Sequence, residues 1–417
     1  MHNSTADVTV AGVTVRSIEN ELSAAERQQF NRPSAVAAMV MLSNAAALGM
    51  VCTPGVVTAF IHDGAVTTAQ AAMLGSTELT GMTASLVLCS FIMGRANRRW
   101  LGFGAVIAAA LGHLLLAYAG TYPHIVAFQF LAGFGEGAMA AVAVATIAGT
   151  AAPDRIYGLN IASNLIASSV FFSFLPRMVS LGGVHSVEWI LCLSSASFGL
   201  GLPWIPRRAQ VVTSDRDVSQ KRVLRLRGLL PGALGLCGTL AFLTGVGSVW
   251  PLIGAIGISL HVPTGVISSA LATAGLSGIA TALFATWLGL RFGRVAPLVV
   301  GALGLMGAMA VLLTEFASHV FFIDVIGFMV CWIFAVPYFF GVLAAMDKSG
   351  RLVAFSAAMQ TSGLALGQAL SAFILGRAAY AVTVYAGISF GVFALLVTLA
   401  AVRLDIRNSR PQSSGDE

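Results

Sequence analysis

Long apolar stretches separated by short polar connections dominate the pattern of this chain. Each stretch has about 20 residues or more, the length that an α-helix needs to cross the hydrocarbon core of a bilayer. The pattern therefore predicts an all-α integral membrane protein with twelve transmembrane helices. The predicted spans are 34–60, 65–93, 100–120, 123–150, 156–180, 186–206, 228–258, 264–290, 295–316, 319–346, 351–376 and 380–403.

The two halves of the chain repeat each other. Pro54 and Pro251 lie in corresponding apolar stretches, and Leu79-Thr80-Gly81 corresponds to Leu276-Ser277-Gly278, at an offset of roughly 200 residues. A repeat of half the chain that is carried on membrane spans is typical of secondary transporters with two related helix bundles. The predicted parts are a cytoplasmic tail (1–33), a six-helix bundle (34–206), a basic linker (207–227), a second six-helix bundle (228–403) and a tail (404–417).

The composition agrees with a membrane protein. Hydrophobic residues make up 57% of the chain and charged residues 10%, whereas soluble domains have about 25% charged residues. A soluble chain this apolar would expose large hydrophobic patches and aggregate. The 45 glycines suit close packing between membrane helices.

The basic residues follow the predicted topology. Of the 23 Lys and Arg residues, only Arg177 and Arg377 fall on one side of the predicted membrane. The positive-inside rule places the other side, and both termini, in the cytoplasm. The net charge of +6 therefore indicates membrane topology and no nucleic-acid partner. The high Gly and Ala content and the short tails favour a multi-pass protein of a bacterial inner membrane.

A basic loop follows the second predicted span. Residues 90–99 align with the loop pattern G-x-x-x-D-R-x-G-R-R of a large transporter family. The matching basic residues are Arg95, Arg98 and Arg99. Gly94 stands at the acidic position of the pattern, and Asn97 stands at its second glycine.

The second half keeps the core of the same pattern in Arg291-Phe292-Gly293-Arg294. With the repeat and the basic central linker, these loops resemble the major facilitator superfamily over residues 33–405. The resemblance implies that spans 1, 2, 4, 5, 7, 8, 10 and 11 line a central cavity and that the two bundles rock by alternating access. It also implies that Arg95, Arg98, Arg99, Arg291 and Arg294 gate the cytoplasmic side. The family's loop acid, which latches that side, is replaced here by Gly94. No signature assigns a subfamily.

Three carboxylates fall well inside predicted spans: Glu78, Glu136 and Asp324. A carboxylate costs about 2.5–3.5 kcal/mol at the centre of a membrane helix, so its presence needs a reason. Glu78 and Glu136 lie about 18 Å from the outer ends of spans 2 and 4, near the midplane. One or both are predicted to couple transport to protons. The alternative is a structural acid hydrogen-bonded to a neighbouring helix.

Two other polar groups within spans have open interpretations. Asp324, near the outer rim, could form an outer gate with Arg177 or Arg377, or it could be an interfacial acid that reaches towards water. His113 is predicted to be a packed histidine bonded to one helix neighbour, with a proton relay as the alternative.

Polar and aromatic residues on cavity-type spans are substrate-site candidates. Asn160 and Asn164 share one face of span 5, and Ser356 and Gln360 share one face of span 11. Hydrogen bonds between helices are the alternative for these amides. Trp250, Trp332 and Tyr338 could form apolar or stacking walls. No Lys or Arg lies mid-span, which favours a neutral, amphipathic or cationic solute, although Arg177 and Arg377 could attract a carboxylate.

The sequence thus predicts a secondary active transporter for a small organic solute, coupled to protons. The alternatives are a proton-independent facilitator, an efflux pump for amphipathic compounds, and a non-transporting receptor or scaffold on the same fold. The zinc-protease, nucleophile-elbow and phosphate-loop patterns are absent from the sequence, so no enzyme activity, cofactor or metal is predicted. The expected partners are the solute, protons and the lipid bilayer, and the expected state is a monomer.

Overall fold

Long apolar helices make up nearly all of the described structure. A computed structural model describes residues 9–10, 13–14, 28–64, 66–93, 96–207, 226–314, 317–346 and 356–409. Two-residue strands β1 (Thr9–Val10) and β2 (Val13–Thr14) pair antiparallel before the first helix. The helices are α1 (Pro33–His62), α2 (Thr68–Ile92), α3 (Arg98–Ala117), α4 (Tyr122–Ile147), α5 (Pro153–Gly199), α6 (Leu226–Val249), α7 (Ile253–Ser259), α8 (Thr264–Leu288), α9 (Val295–Val311), α10 (Ser318–Met346), α11 (Ser356–Leu375) and α12 (Tyr380–Ser409).

Local sequence explains where several helices begin. Pro occupies the first turn of α1, α4 and α5, where its missing N–H has no helical partner to lose. A capping box between Thr67 and Gln70 starts α2. Within the described residues, eight stretches of helix are long and apolar enough to cross a membrane. The predicted all-α membrane fold is confirmed, and the number of crossings stays a prediction.

A sharp kink divides α5 into a first arm (153–181) and a second arm (184–199). Gly182 and Gly183 have non-helical backbone angles, and Gly183 has φ +55°, which favours glycine. The arms lie side by side, since one groove of about 800 Å³ is lined by residues of both. Spans 5 and 6 were predicted as 156–180 and 186–206, with a loop between them. The reversal at Gly182-Gly183 falls within that predicted gap, 181–185.

The carboxylate of Asp63 holds this kink in place. Its Oδ2 accepts a hydrogen bond of 2.7 Å from the backbone N–H of Val184, so the C-terminal end of α1 is tied to the start of the second arm. We expect Asp63→Ala to lower the free energy of unfolding by about 1–2 kcal/mol, because the N–H of Val184 loses a charge-assisted partner. Thermal unfolding in detergent measures the change.

His62 provides the control for this prediction. Its ring is 60% exposed and contacts Asp63 at 3.2 Å, and such surface pairs contribute little. His62→Ala should therefore unfold at nearly the wild-type temperature. Equal losses in both variants would assign the effect to the His62–Asp63 pair instead of the kink.

The two halves of the chain meet along pairs of helices. α2 packs on α11, where the Ser76 hydroxyl donates to the carbonyl of Ala365 (2.9 Å) and the hydroxyls of Thr83 and Thr361 lie 2.7 Å apart. The first arm of α5 packs on α8, and α1 packs on α7. We call the α2–α11 contact, made by Ser76, Thr83, Thr361 and Ala365, the α2–α11 seam.

Candidate functional site

A buried polar cluster lies inside the first half of the chain. Its members come from α2, α3, α4 and the second arm of α5, and none is more than 2% exposed. They are Glu78, His113, Gln129, Glu136 and Glu188. Buried polar groups in an apolar bundle are costly unless they are paired, so their mutual contacts define the cluster.

His113 lies at the centre of the cluster. Its Nδ1 is 2.8 Å from Oε2 of Glu188, and its Nε2 is 3.2 Å from Oε1 of Glu136. The sequence predicted a histidine bonded to one helix neighbour, and the structure has two carboxyl partners. An imidazole between two carboxyl groups can accept and donate a proton, which is the chemistry of the relay alternative.

The carboxyl groups of Glu78 and Glu136 meet at Gly49 of α1. A Cβ at Gly49 would overlap Oε1 of both side chains. The side-chain amide of Gln129 donates to Oε2 of Glu78. Gly133 lets α4 approach the backbone of α2 at Glu78. Two charged carboxylates this close in an apolar interior would repel each other strongly.

The cluster has unused hydrogen-bonding positions. Oε1 of Glu78, Oε2 of Glu136 and Oε1 of Glu188 have no hydrogen-bond partner. Among the described residues, no Lys or Arg forms an ion pair with these carboxyl groups. Three charged carboxylates beside one imidazole would leave uncompensated charge in the bundle, so protons are the simplest counter-charge.

A cavity of about 470 Å³ begins one helical turn away from the carboxyl pair. Met82 and Ala140 line it, and each lies four residues beyond Glu78 or Glu136 on the same helix. The cavity extends to the ends of α2 and α4 that the basic residues predict to be cytoplasmic. Further lining residues are Ser43, Met50, Cys89, Ala148, Gln360 and Thr361.

The predicted amide residues are only partly brought together. Gln360 is half-buried and lines the cavity. Asn160 is buried and Asn164 half-buried on the first arm of α5, and Oδ1 of each lacks a hydrogen-bond partner. The side chain of Ser356 lies outside the described residues. Asn44 of α1, which the sequence did not single out, donates to the Ser163 hydroxyl at 2.8 Å.

Of the predicted aromatic residues, the two tryptophans pack on each other, whereas Tyr338 packs on Phe334. The rings of Trp250 and Trp332 are 5.6 Å apart, and Trp250 stacks on Phe328 at 5.9 Å. Both indole N–H groups are buried without an acceptor. The Tyr338 hydroxyl reaches the Ala285 carbonyl at 3.4 Å. The role of these side chains in solute binding stays a prediction.

The loop arginines contact neighbouring chain segments. The backbone N–H of Arg98 donates to the carbonyl of Arg207 (3.0 Å), and Nε of Arg99 donates to the carbonyl of Ile205 (2.6 Å). Arg291 lies over the ring of Trp287 at 4.5 Å, and the Arg294 side chain packs against Gly341. Arg95 lies outside the described residues.

The three predicted outer-gate residues have separate environments in the structure. Asp324 is 8% exposed and its Oδ2 has no partner. Arg377 lies 3.9 Å from the ring centre of Phe373, and Arg177 lines the groove between the arms of α5. Among the described residues, Asp324 forms no ion pair with either arginine, so the gate stays a prediction for another conformation.

Sequence reasoning missed Glu188 and did not assign a site role to Gln129. Glu188 lay at the start of a predicted span, beside a loop, and therefore did not count as an acid within the membrane. The pair Gly182-Gly183 is the signal that could have found it, since two glycines mark a tight reversal and bring Glu188 into the helix. The structure places Glu188 at 0% exposure.

Many solved structures match this fold, and two of them illustrate the likeness. A crystal structure of a D-xylose-proton symporter is 16% identical, with a TM-score of 0.62 over 89% of this chain and 95% of that chain. A mutant of the nucleoside transporter NupG is 12% identical, with a TM-score of 0.66 over 89% and 99%. No family model matches the chain, and a search of curated proteins finds no significant relative. The major facilitator fold predicted from the loop motifs is confirmed.

Proposed function

We propose that this protein, which has the major facilitator fold, is a secondary transporter that couples a small organic solute to protons by alternating access. The observation that carries the proposal is the meeting of the Glu78 and Glu136 carboxyl groups at Gly49, one turn from the cavity. The fold shared with two transporters supports the transport part, and the buried carboxyl pair supports the proton part.

The position of Glu78 links the proton site to the contact between the halves. Glu78 lies on α2 between Ser76 and Thr83, which both bond α11 across the α2–α11 seam. Loss of the shared proton would place two like charges in contact at Gly49 and push α2 away from α4. In this proposal, that displacement loosens the α2–α11 seam and favours the alternative conformation.

The solute in this proposal is neutral or cationic. The cavity carries no described Lys or Arg among its lining residues, and its polar groups are hydroxyls and the Gln360 amide. Asn160, Asn164 and the indoles of Trp250 and Trp332 are the remaining candidates, because each has an unpartnered polar atom. Such groups suit hydroxyl, carbonyl or amide functions on the solute.

Uptake into proteoliposomes with an imposed pH gradient tests the proposal. The panel should contain pentoses and nucleosides, which the names of the two structural neighbours suggest, and organic amines. We expect gradient-driven accumulation of one class, and a loss of at least about tenfold in Glu136→Gln. Counterflow, in which solute exchanges without net proton movement, should persist. Thr77→Ala, beside Glu78 on α2, is the control and should transport normally.

The outcomes separate the function classes. Accumulation that responds to neither the gradient nor Glu136→Gln would indicate a facilitator and reduce Glu136 to a structural acid. Gradient-driven extrusion from inverted vesicles would indicate an efflux pump for amphipathic compounds. Specific binding without counterflow would favour a receptor on the same fold.

A further inference from the structure

Glu188 has a different environment from the two carboxyl groups at Gly49. It lies on the second arm of α5, five residues beyond Gly183, and is fully buried. A hydrogen bond joins its Oε2 to Nδ1 of His113 at 2.8 Å. Its position puts it behind His113, on the side opposite to Glu136.

We propose that Glu188 is a positioning residue that fixes the tautomer of His113, with the proton on Nδ1, so that Nε2 faces Glu136 as a proton acceptor. A carboxylate only accepts hydrogen bonds, and a neutral imidazole has one donor and one acceptor nitrogen. The shorter of the two contacts is the one to Glu188, so this contact sets the donor. A partner behind an imidazole commonly fixes its orientation in this way. The inference deepens the proposed function and rests on it only for the consequence in transport.

The proton step that follows is balanced. The O–H bond of protonated Glu136 breaks, and a new N–H bond forms at Nε2 of His113. Glu136 becomes a carboxylate and His113 an imidazolium between two carboxylates, so the net charge of the three groups is unchanged. The reverse step returns the proton to Glu136. His113 thus removes the shared proton from the carboxyl pair without sending it into the apolar bundle.

Other titratable groups around the cluster are few. Cys52 of α1 lies near Glu78 and Glu136, and Cys192 lies one turn beyond Glu188 on the second arm. Glu78 of α2 meets Glu136 at Gly49, and the two hydrogen-bonded carboxyl partners of His113 are Glu136 and Glu188. The carboxyl groups of Glu136 and Glu188 therefore determine the tautomer.

Nitrogen NMR of the full-length protein, labelled in its histidines and held in detergent, tests the assignment without any solute. His113→Gln identifies the signals of this ring. As the pH is raised in the wild type, we expect the Nε2 proton to be lost and the Nδ1 proton to remain. Glu188→Met, which fits the apolar surroundings but accepts no such bond, should move the proton to Nε2. Glu188→Gln, whose amide oxygen still accepts, should keep it on Nδ1.

Two results would overturn the inference: a wild-type ring with its last proton on Nε2, or an unchanged tautomer in Glu188→Met. If Glu188→Met fails to fold, the tautomers of the wild type and of Glu188→Gln still test the inference. In proteoliposomes, Glu188→Met should reduce gradient-driven uptake by about 10–100-fold and leave counterflow within about twofold. If the protein transports no solute and still shows the expected tautomers, the proposed function is wrong, but the role of Glu188 in fixing the tautomer stands.

Discussion

A disulfide across the α2–α11 seam is expected to stop transport almost completely. The hydroxyls of Thr83 on α2 and Thr361 on α11 are 2.7 Å apart and join the two halves of the chain. Two cysteines in these places would bring their sulfurs within reach of a disulfide without a large backbone movement. We expect Thr83→Cys/Thr361→Cys to form this bond under mild oxidation, because the side chains already face each other.

The loss follows from alternating access. If the halves rock about the central site, α2 and α11 must change their contact in each cycle, and a covalent bond prevents that change. Oxidation should lower both driven uptake and counterflow to background, and a reductant should restore them. The five native cysteines must first be replaced. A protease site in the predicted linker 207–227 would report the bond, because the cross-linked halves stay together after cleavage.

Thr77 supplies the matched control. It lies on another face of α2, and its hydroxyl bonds the carbonyl of Met73 in the same helix. Thr77→Cys/Thr361→Cys should therefore stay uncross-linked and active under the same oxidation. Complete cross-linking of the seam pair with undiminished uptake would show that the α2–α11 seam does not open during transport.

The fold was largely predictable because its signals are strong and local. Burying an unpaired backbone in lipid is so costly that spans must be helical and about 20 residues long. The first predicted span, 34–60, accordingly matches α1 (Pro33–His62) to within two residues at each end. The reversal of α5 at Gly182-Gly183 falls in the predicted gap between spans 5 and 6, but its hydrogen bond to the distant Asp63 could not be read from a local pattern.

The site was predictable only in part. Glu78 and Glu136 stood out because a carboxylate in an apolar span is costly. Their meeting at Gly49, and the bond from His113 to Glu188, join residues far apart in sequence. Such contacts depend on how helices pack, and no local pattern encodes them.

The loop motif shows the same limit. It marked Arg98 and Arg99 as gating residues, and their partners in this conformation are the carbonyls of Arg207 and Ile205. A motif specifies residue types and spacing, whereas the partner depends on the tertiary fold and on the conformational state. Their gating role stays a prediction.

Gly49→Ala is expected to abolish proton-driven uptake, because a methyl group at this position would occupy the space where the carboxyl groups of Glu78 and Glu136 meet. The clash involves Oε1 of both carboxyl groups, so the side chains must separate or α1 must move away. Overpacking of this kind costs about 1–3 kcal/mol. Uptake driven by a pH gradient should fall at least about tenfold, as expected for misplaced proton-transfer groups.

Gly104→Ala distinguishes this local clash from a general effect of replacing glycine. Gly104 lies within α3, and a Cβ there meets no other atom within 4 Å. An alanine in an open helical position stabilises a helix by up to about 1 kcal/mol, so this variant should be active and at least as stable as the wild type. Wild-type driven uptake in Gly49→Ala would mean that the carboxyl groups need not meet, and that Glu78 and Glu136 act separately. Lost driven uptake with retained counterflow would instead locate the proton step at the contact that Gly49 permits, because the solute path through the cavity would still be working.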